Sequence, residues 1–416
     1  MRETKFSVLK ALAIMLVVLS HAGISGWLFN FVFLFHVPAF FLCAGYFFHT
    51  KYLTDERTFV LHRIKGLYFP FLKWSICFLL LHNVFFSLGI LSEHYGNAAG
   101  GVTHPYNLQQ FGQHLWSIVF NMSGYDQFLA GAFWFFRALL LASIGFLVVA
   151  KLLLWLKPIK TERDMGWGIL LVALLLMLWQ LAGGVRITGV AQGGYRELMG
   201  MAFMAVGFLL HEYQVVDKLN WKLALPSLAV LILASFFFPA SMTWNPDWQQ
   251  FLSLPLPAIG GFLSLAYVSG LIDCRNSFVK RVLVYVGDRT LYIFAFHLLA
   301  FKVVSMLKVW AYGLPWEAVG GHPVVLQPAN NLWWVILYVV IGVSLPLAGL
   351  WTYRKLAARI TIKQEDVFNL MALIVLVVLK LSRKLMLKMI ELGKQSYSNA
   401  KKLLKAIWEA SNIRTE

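Results

Sequence analysis

The first apolar segment of the chain carries two groups that could take part in chemistry. Lys10 and His21 lie in an otherwise hydrophobic stretch, with ten residues between them. On an α-helix they share one face, about 20° apart, and are separated by about 16 Å along the axis. An imidazole can act as a general base, and a lysine can bind an anionic group. If Lys10 marks one membrane interface, His21 should lie near the middle of the bilayer.

A second histidine, His36, is followed by a proline in the next apolar segment. Counted from Leu28 at the opposite interface, His36 lies about 12 Å deep, close to the depth predicted for His21. Pro38 has no N–H to donate to the carbonyl of Leu34, so the helix should kink near this histidine. The two imidazoles are therefore predicted at one level on neighbouring helices.

Arg137 and His297 fall at a similar depth in later apolar segments. Ionisable side chains inside a membrane are costly, so several at one level favour a shared polar cavity. Structural alternatives stay open, because a histidine can form a hydrogen bond between helices and Arg137 can pair with an acidic group. Lys73 and Lys302 also lie in apolar segments, where we interpret them as snorkelling side chains.

A basic stretch from Arg63 to Lys65 precedes the third apolar segment. It has two interpretations: a clamp for the phosphates of a cytoplasmic cofactor, or ordinary positive charge at the inner membrane face. The sequence shows no metal-ligand spacing, no phosphate-binding glycine loop and no nucleophilic serine motif. We therefore predict no metal ion, and we expect no structural disulfide among the 3 cysteines.

Composition indicates what kind of fold must position these groups. Hydrophobic residues make up 59% of the 416 residues and charged residues only 13%, whereas a soluble domain is about a quarter charged. We predict an all-α, polytopic membrane protein with about ten transmembrane helices. The first apolar run is expected to be a retained span rather than a cleaved signal peptide. The predicted spans are 8–27, 28–49, 66–92, 128–150, 166–184, 195–213, 221–240, 250–272, 289–308 and 331–353.

Charge asymmetry between the loops predicts the orientation. With this set of spans, seventeen Lys and Arg residues before the C-terminal tail fall on one side and three on the other. The positive-inside rule then places both termini in the cytoplasm, and it accounts for the net charge of +17 without nucleic acid as a partner. Two long loops on the opposite side, 93–127 and 309–330, could cap a site from outside.

We predict a transmembrane domain over residues 1–355 and a basic helical tail over residues 356–416 on the cytoplasmic side. From residue 354 onward the chain holds 13 Lys and Arg residues. The apolar run from Leu370 to Leu379 is too short to span a bilayer. The tail is interpreted either as amphipathic helices on the anionic inner leaflet or as a soluble helix used for oligomerisation. The sequence does not predict an oligomeric state.

Taken together, these motifs resemble the membrane acyltransferase 3 family of bacterial surface-glycan O-acyltransferases, over roughly residues 5–355. The chain looks most similar to the fucose 4-O-acetylase-like branch. It departs from the family pattern at Lys10, Ser7 and Ala44, where the family usually has Arg, Asp and Ser; a lysine also lacks the bidentate fork of arginine. The matching segments are Lys10 to His21, Phe35 to Pro38, Ala44 to Tyr46, Arg63 to Pro70, Trp134 to Phe135 and Thr290 to His297.

The resemblance implies an O-acyltransferase in the bacterial cytoplasmic (inner) membrane, with acetyl-CoA as donor and a cell-surface or lipid-linked glycan as acceptor. Besides these substrates, the expected partners are membrane lipids. His21 would be the general base, with His36 orienting it or sharing the proton, and Arg137 would stabilise the oxyanion or bind the glycan. The implied cofactor-binding residues are Lys10, Arg63 and Lys65, and the implied substrate-binding residues are His297, Trp134 and Tyr46.

Two other function classes stay open on the residues alone. A transporter or flippase for a polar solute or a lipid-linked sugar would also use polar groups inside the membrane and a proline-kinked helix such as that at Pro38. Such proteins commonly contain inverted repeats, and no internal repeat is evident. A non-catalytic membrane scaffold is the third class, and it predicts no effect of substituting His21.

Overall fold

The computed structural model describes residues 4–97, 101–156, 160–187 and 190–359, together with residue 380. The chain divides into two compact units, Met1–Arg354 and Lys355–Glu416, and the features below belong to the first, apart from the last residues of the final helix. Most of the predicted tail, 356–416, lies outside the described residues. The α-helices are α1 Thr4–His21, α2 Gly26–Phe33, α3 Pro38–Tyr46, α4 Glu56–Arg63, α5 Phe69–Ser87, α6 Leu108–Asn121, α7 Trp134–Trp155, α8 Glu162–Gly183, α9 Tyr195–Glu212, α10 Trp221–Phe237, α11 Trp248–Ser253, α12 Pro255–Asp273, α13 Phe278–Gly287, α14 Thr290–Tyr312 and α15 Leu332–Arg359.

Short helices of other types join several of these elements. A π-helix at Ile64–Tyr68 links α4 to α5, which begins with proline at its second residue. Within the described residues, extended pairing is limited to one bridge between Asn97 and His322. The 3-10 helices are Thr50–Leu53, Gly131–Phe133, Ala191–Gly194 and Trp316–Gly320. The prediction of an all-α fold is confirmed for this part of the chain.

Within the described residues, 8 helical segments are long and apolar enough to cross a membrane, which makes the chain a multi-pass membrane protein. Two more predicted spans form helices that fall short of that description. The first is α9, which carries Arg196, Glu197 and Glu212, and the second is α10, which has 17 residues. The count of ten spans and the cytoplasmic termini stay predictions.

Helix ends fall on two faces of the bundle. We name the side where α1 begins the proximal face and the side where it ends the distal face. At the proximal face Lys5 Nζ donates to the carbonyl of Val216 at 2.9 Å. At the distal face Trp316 Nε1 donates to the carbonyl of Leu88 at 3.0 Å. Trp316 belongs to the loop 309–330, and Leu88 lies just before the loop 93–127; we name these two loops the distal loops.

The end of the first span and the start of the second differ from the prediction. Helix α1 ends at His21 rather than at residue 27. Gly23 turns the chain there with φ +80°, a conformation that a residue with a side chain rarely adopts. The predicted break near His36 is present, because α2 ends at Phe33 and Pro38 starts α3. The second span is therefore two short helices joined by a turn that contains His36.

Two clusters of buried side chains hold the bundle together. The first joins α3, α7, α9 and α12, and the second joins α1, α14 and α15. With the other buried residues, these two clusters make up much of the apolar surface that faces the interior of the bundle. Members of the first cluster include Phe41, Phe146, Phe208 and Phe262, and members of the second include Val8, Ile14, Phe301 and Tyr338.

Helices α3 and α9 cross with their backbones in close contact. A Cβ added to Gly45 would lie 1.9 Å from the backbone oxygen of Met204, and one added to Gly207 would lie 2.0 Å from that of Leu42. Only glycine lets the two backbones approach so closely. Gly45 and Gly207 therefore let α3 and α9 pack in direct backbone contact.

Candidate functional site

A cavity of about 150 Å³, which we name the central cavity, lies between the two clusters. Its wall is mostly apolar and aromatic, and it includes the imidazoles of His21 and His36. Toward the proximal face the lining includes Leu67 and Leu291, and toward the distal face it includes Trp134. A mostly apolar cavity with a few converging polar groups is typical of a ligand-binding site.

Two of the predicted site histidines, His21 and His36, line this cavity, and a third, His297, lies beside His21. The ring centroids of His21 and His297 are 5.1 Å apart. Each Nδ1 lies near a carbonyl one turn earlier in the chain: His21 and Val17 at 2.9 Å, His36 and Val32 at 2.6 Å, His297 and Ile293 at 3.1 Å. In a neutral ring, a nitrogen that donates to a carbonyl carries the proton, which leaves the lone pair on Nε2.

The Nε2 atoms are therefore the basic nitrogens of this group. That of His297 is buried and has no hydrogen-bond partner among the described residues. In the same part of the chain, no group of three His, Cys, Asp or Glu side chains is placed to hold a metal ion. The predicted convergence of His21, His36 and His297 is present, and their chemical roles stay predictions.

Arg137 lies behind the wall of the central cavity, one turn after Trp134. Its Nε is 3.3 Å from Oε1 of Glu197, and both side chains are buried. The neighbouring Arg196 places its guanidinium 4.1 Å from the centre of the Trp134 ring and donates to the carbonyl of Met242 at 3.1 Å. The alternative interpretation of Arg137, a structural pair with an acidic group, therefore has a partner in Glu197 of α9. A catalytic role for Arg137 stays a prediction.

Replacing Glu197 with glutamine should destabilise the protein, because Arg137 and Arg196 would then repel each other in a buried site. Breaking a buried ion pair from one side costs about 3–5 kcal/mol. We expect a lower Tm by fluorescence-detected size-exclusion chromatography, with Glu93→Gln, an exposed carboxylate, as the unchanged control. The double variant Arg137→Met with Glu197→Leu removes both charges and should recover stability. Full activity in that variant would contradict a catalytic role for Arg137.

The predicted cofactor residues lie at or near the proximal end of the cavity. Lys10 is one turn before Ile14, on the α1 face that continues to His21. The Arg63 guanidinium stacks over the ring of Phe59 at 5.0 Å, and Lys65 is exposed. Lys65 comes directly before Gly66, which lines the cavity, and Arg63 comes two residues before Lys65. Their positions are compatible with a clamp, and cofactor binding by these residues stays a prediction.

Tyr46 lies away from the central cavity, at the proximal end of α3. Its ring packs 4.7 Å from that of Phe6 and 4.9 Å from that of His211. Tyr46 is the last residue of α3, whereas His36 lies just before its first residue, so substrate contact by Tyr46 also stays a prediction. Trp134, by contrast, lines the cavity as a substrate-binding residue would.

Sequence reasoning missed two residues near the site and misjudged a third. Arg289, which stacks 3.7 Å from the Tyr285 ring, comes just before the lining residues at the start of α14. His322, from a distal loop, lies close to the histidine group and is described below. Lys302 was interpreted as snorkelling, which is wrong: it is only 2% exposed and donates to the carbonyls of Val319 and Gly321. A lysine deep in an apolar helix before a glycine-rich loop was the available signal.

Comparison with family models gives a match to the acyltransferase 3 model, described as an acyltransferase domain, over residues 4–351. Comparison with curated proteins and with solved structures gives no match. The matched range is nearly the one that the sequence motifs predicted. It includes the membrane-spanning helices described above, the histidine group and the central cavity. The chain therefore belongs to the acyltransferase 3 family and is a membrane acyltransferase by family.

Proposed function

We propose that the chain transfers an acetyl group from cytoplasmic acetyl-CoA to a hydroxyl of a cell-surface or lipid-linked glycan at the bacterial inner membrane. Family membership supports acyl transfer, whereas the donor, the acceptor, the location and the fucose 4-O-acetylase-like branch belong to the proposal. The observation that supports it best is the position of His21. Its ring lines the central cavity while Nδ1 is held by the carbonyl of Val17.

In the proposed reaction, the acceptor oxygen attacks the carbonyl carbon of the thioester while Nε2 of His21 takes the hydroxyl proton. The C–S bond then breaks, and the imidazolium returns the proton to the thiolate of CoA. His36, which lines the same cavity, and His297, whose ring lies 5.1 Å from that of His21, would orient the base or share its proton. The apolar cavity wall keeps bulk water from competing as the acceptor.

Positive charge near the proximal end supports entry of the donor from that side. Lys65 and Arg289 directly precede residues that line the cavity there, and Lys10 lies on the α1 face that leads to His21. By helix geometry, Lys10 and His21 are about 16 Å apart along the axis. An extended pantetheine arm spans such a distance, so the nucleotide would stay at the proximal face while the thioester reaches His21.

Replacing Lys10 with alanine should raise the KM for acetyl-CoA about tenfold with little change in kcat, because it removes a charged hydrogen bond to a phosphate. Lys10→Arg should keep or lower that KM, since arginine adds the bidentate fork. Initial rates of CoA release at varied acetyl-CoA measure the effect. Lys218→Ala, at an exposed lysine of the proximal face, is the control. An unchanged acetyl-CoA dependence in Lys10→Ala would exclude Lys10 from the clamp.

The proposed function itself is tested with the purified protein in lipid nanodiscs. Radiolabelled acetyl-CoA and candidate glycans should yield acetylated glycan and free CoA in equal amounts. The transporter or flippase alternative predicts solute movement into proteoliposomes without acyl transfer, and the scaffold predicts neither. The family match gives those alternatives no support.

A further inference from the structure

A second cavity, of about 300 Å³, lies between the distal loops, and we name it the distal cavity. We propose that it binds an uncharged sugar ring of the acceptor, and that His322 in its wall positions this acceptor for reaction at His21. The inference rests on the proposed function, because it takes the acceptor to be a glycan. The volume is at the lower end of the range for small-molecule sites.

The lining of the distal cavity combines hydrogen-bonding and apolar groups. Asn97 and Gln327 carry neutral amides that can donate and accept, while Tyr95 and Pro315 offer apolar surface. None of the described residues that line it is Asp, Glu, Lys or Arg. A charged ligand group would be buried there without a counter-charge, which is costly. A sugar ring suits this lining, because hydroxyls surround its edge and C–H groups cover its faces.

His322 lies between the distal cavity and the central cavity. It lines the distal cavity, and its ring packs 5.0 Å from that of Phe128. A Cβ added to Gly131 would lie 3.7 Å from its Nε2, and the next residue, Ala132, lines the central cavity. The imidazole also lies within electrostatic range of His21. One side chain therefore forms part of the partition between the two cavities.

The His322 ring has a nitrogen available to a ligand. Burial lowers the pKa of His322 to about 3, with repulsion from Lys302 and His21 acting in the same direction, so the ring is neutral at pH 7. Its Nδ1 is buried without a hydrogen-bond partner in the described part of the chain. A buried polar atom left unpaired is costly. A sugar hydroxyl that pairs with this atom would relieve that cost.

The wall that carries His322 is fixed by contacts on both sides. The bridge between Asn97 and His322 joins the two distal loops. Lys302 Nζ donates to the carbonyl of Gly321, the residue before His322, at 2.8 Å. Lys308 Nζ donates to the carbonyl of Val325 at 2.8 Å. A ring held in this way can position a substrate without first being ordered.

The test uses the full-length protein in nanodiscs, with the methyl glycoside of a neutral hexose and that of the matching uronic acid. In His322→Gln we expect the KM for the neutral glycoside to rise about tenfold, as for a lost hydrogen bond in a buried site. The KM for acetyl-CoA and the slow transfer of acetyl to water should be unchanged. His104→Gln, an exposed histidine beside Glu93 on a distal loop, should match the wild type.

Direct binding of the radiolabelled glycoside, by equilibrium dialysis, separates this inference from the proposed function. Weaker binding in His322→Gln supports the site even if the wild type transfers no acetyl group, an outcome that would count against the proposed function alone. Gln327→Ala provides a second variant in the cavity wall if His322→Gln fails to fold. Unchanged glycoside KM and binding in the folded variant, or stronger binding of the uronic acid, would overturn the inference.

Discussion

Replacing His21 with alanine is expected to lower the rate of acetyl transfer by about 10²- to 10⁴-fold, the usual contribution of a general base. The ring lines the central cavity, and the hydrogen bond from Nδ1 to the Val17 carbonyl leaves Nε2 as the base. The rate of CoA release from the nanodisc-embedded protein, at saturating donor and acceptor, measures the effect. His21→Gln should be equally slow, because its amide nitrogen cannot take a proton at neutral pH.

Two controls separate chemistry from folding in this experiment. His49→Ala removes an exposed histidine near the proximal face and should leave the rate unchanged. The Tm of the His21 variants should stay close to that of the wild type, since the side chain borders an existing cavity and its removal mainly enlarges that space. Wild-type turnover in a folded His21→Ala protein would show that another group is the base, and His36 and His297 would then be tested in turn.

Replacing Gly45 with alanine is expected to prevent folding or to destabilise the protein severely. The added Cβ would lie 1.9 Å from the Met204 backbone oxygen, and neither backbone can give way without separating α3 from α9. The cost should reach or exceed the upper end of the about 1–3 kcal/mol that overpacking usually brings. The yield of monodisperse protein and its Tm measure the result. Gly207→Ala, at the same crossing, should behave alike.

The matched control for this prediction is Gly349→Ala in α15. An added Cβ there has nothing within 4 Å, so alanine should be neutral or slightly stabilising through its higher helix propensity. A Gly45→Ala protein as stable as Gly349→Ala would mean that α3 and α9 do not cross as closely as described.

The sequence predicted the histidine group because helix rise is local geometry. Counting residues from each end placed His21, His36 and His297 at one level, and their convergence needed only that neighbouring helices pack. The end of α1 was misjudged, since hydropathy does not register the positive φ of Gly23 that turns the chain. The helix break near Pro38 was easier to predict, because the missing N–H of a proline interrupts helical hydrogen bonding inside any helix.

Pairings between distant segments were beyond sequence reasoning. Arg137 finds Glu197 only because α7 packs on α9, and the apolar pattern of either helix does not specify that choice. His322 was missed for the same reason, since its loop reaches the site only where Lys302 fixes it. The roles of Arg63 and Lys65 could not be separated from ordinary inner-face charge, because both interpretations require the same residues at the same place.

Two lysines of α14 attach the distal loop 309–330 to this helix, so that the helix and the loop form one rigid unit. Lys302 and Lys308 donate hydrogen bonds to loop carbonyls, and Lys308 also donates to Asn330 Oδ1 at 2.6 Å. His297 stands on the same helix. Any tilt or slide of α14 during turnover must therefore carry His297 and His322 together. Such a movement would keep the spacing of these two imidazoles and would change their distance to His21, on α1.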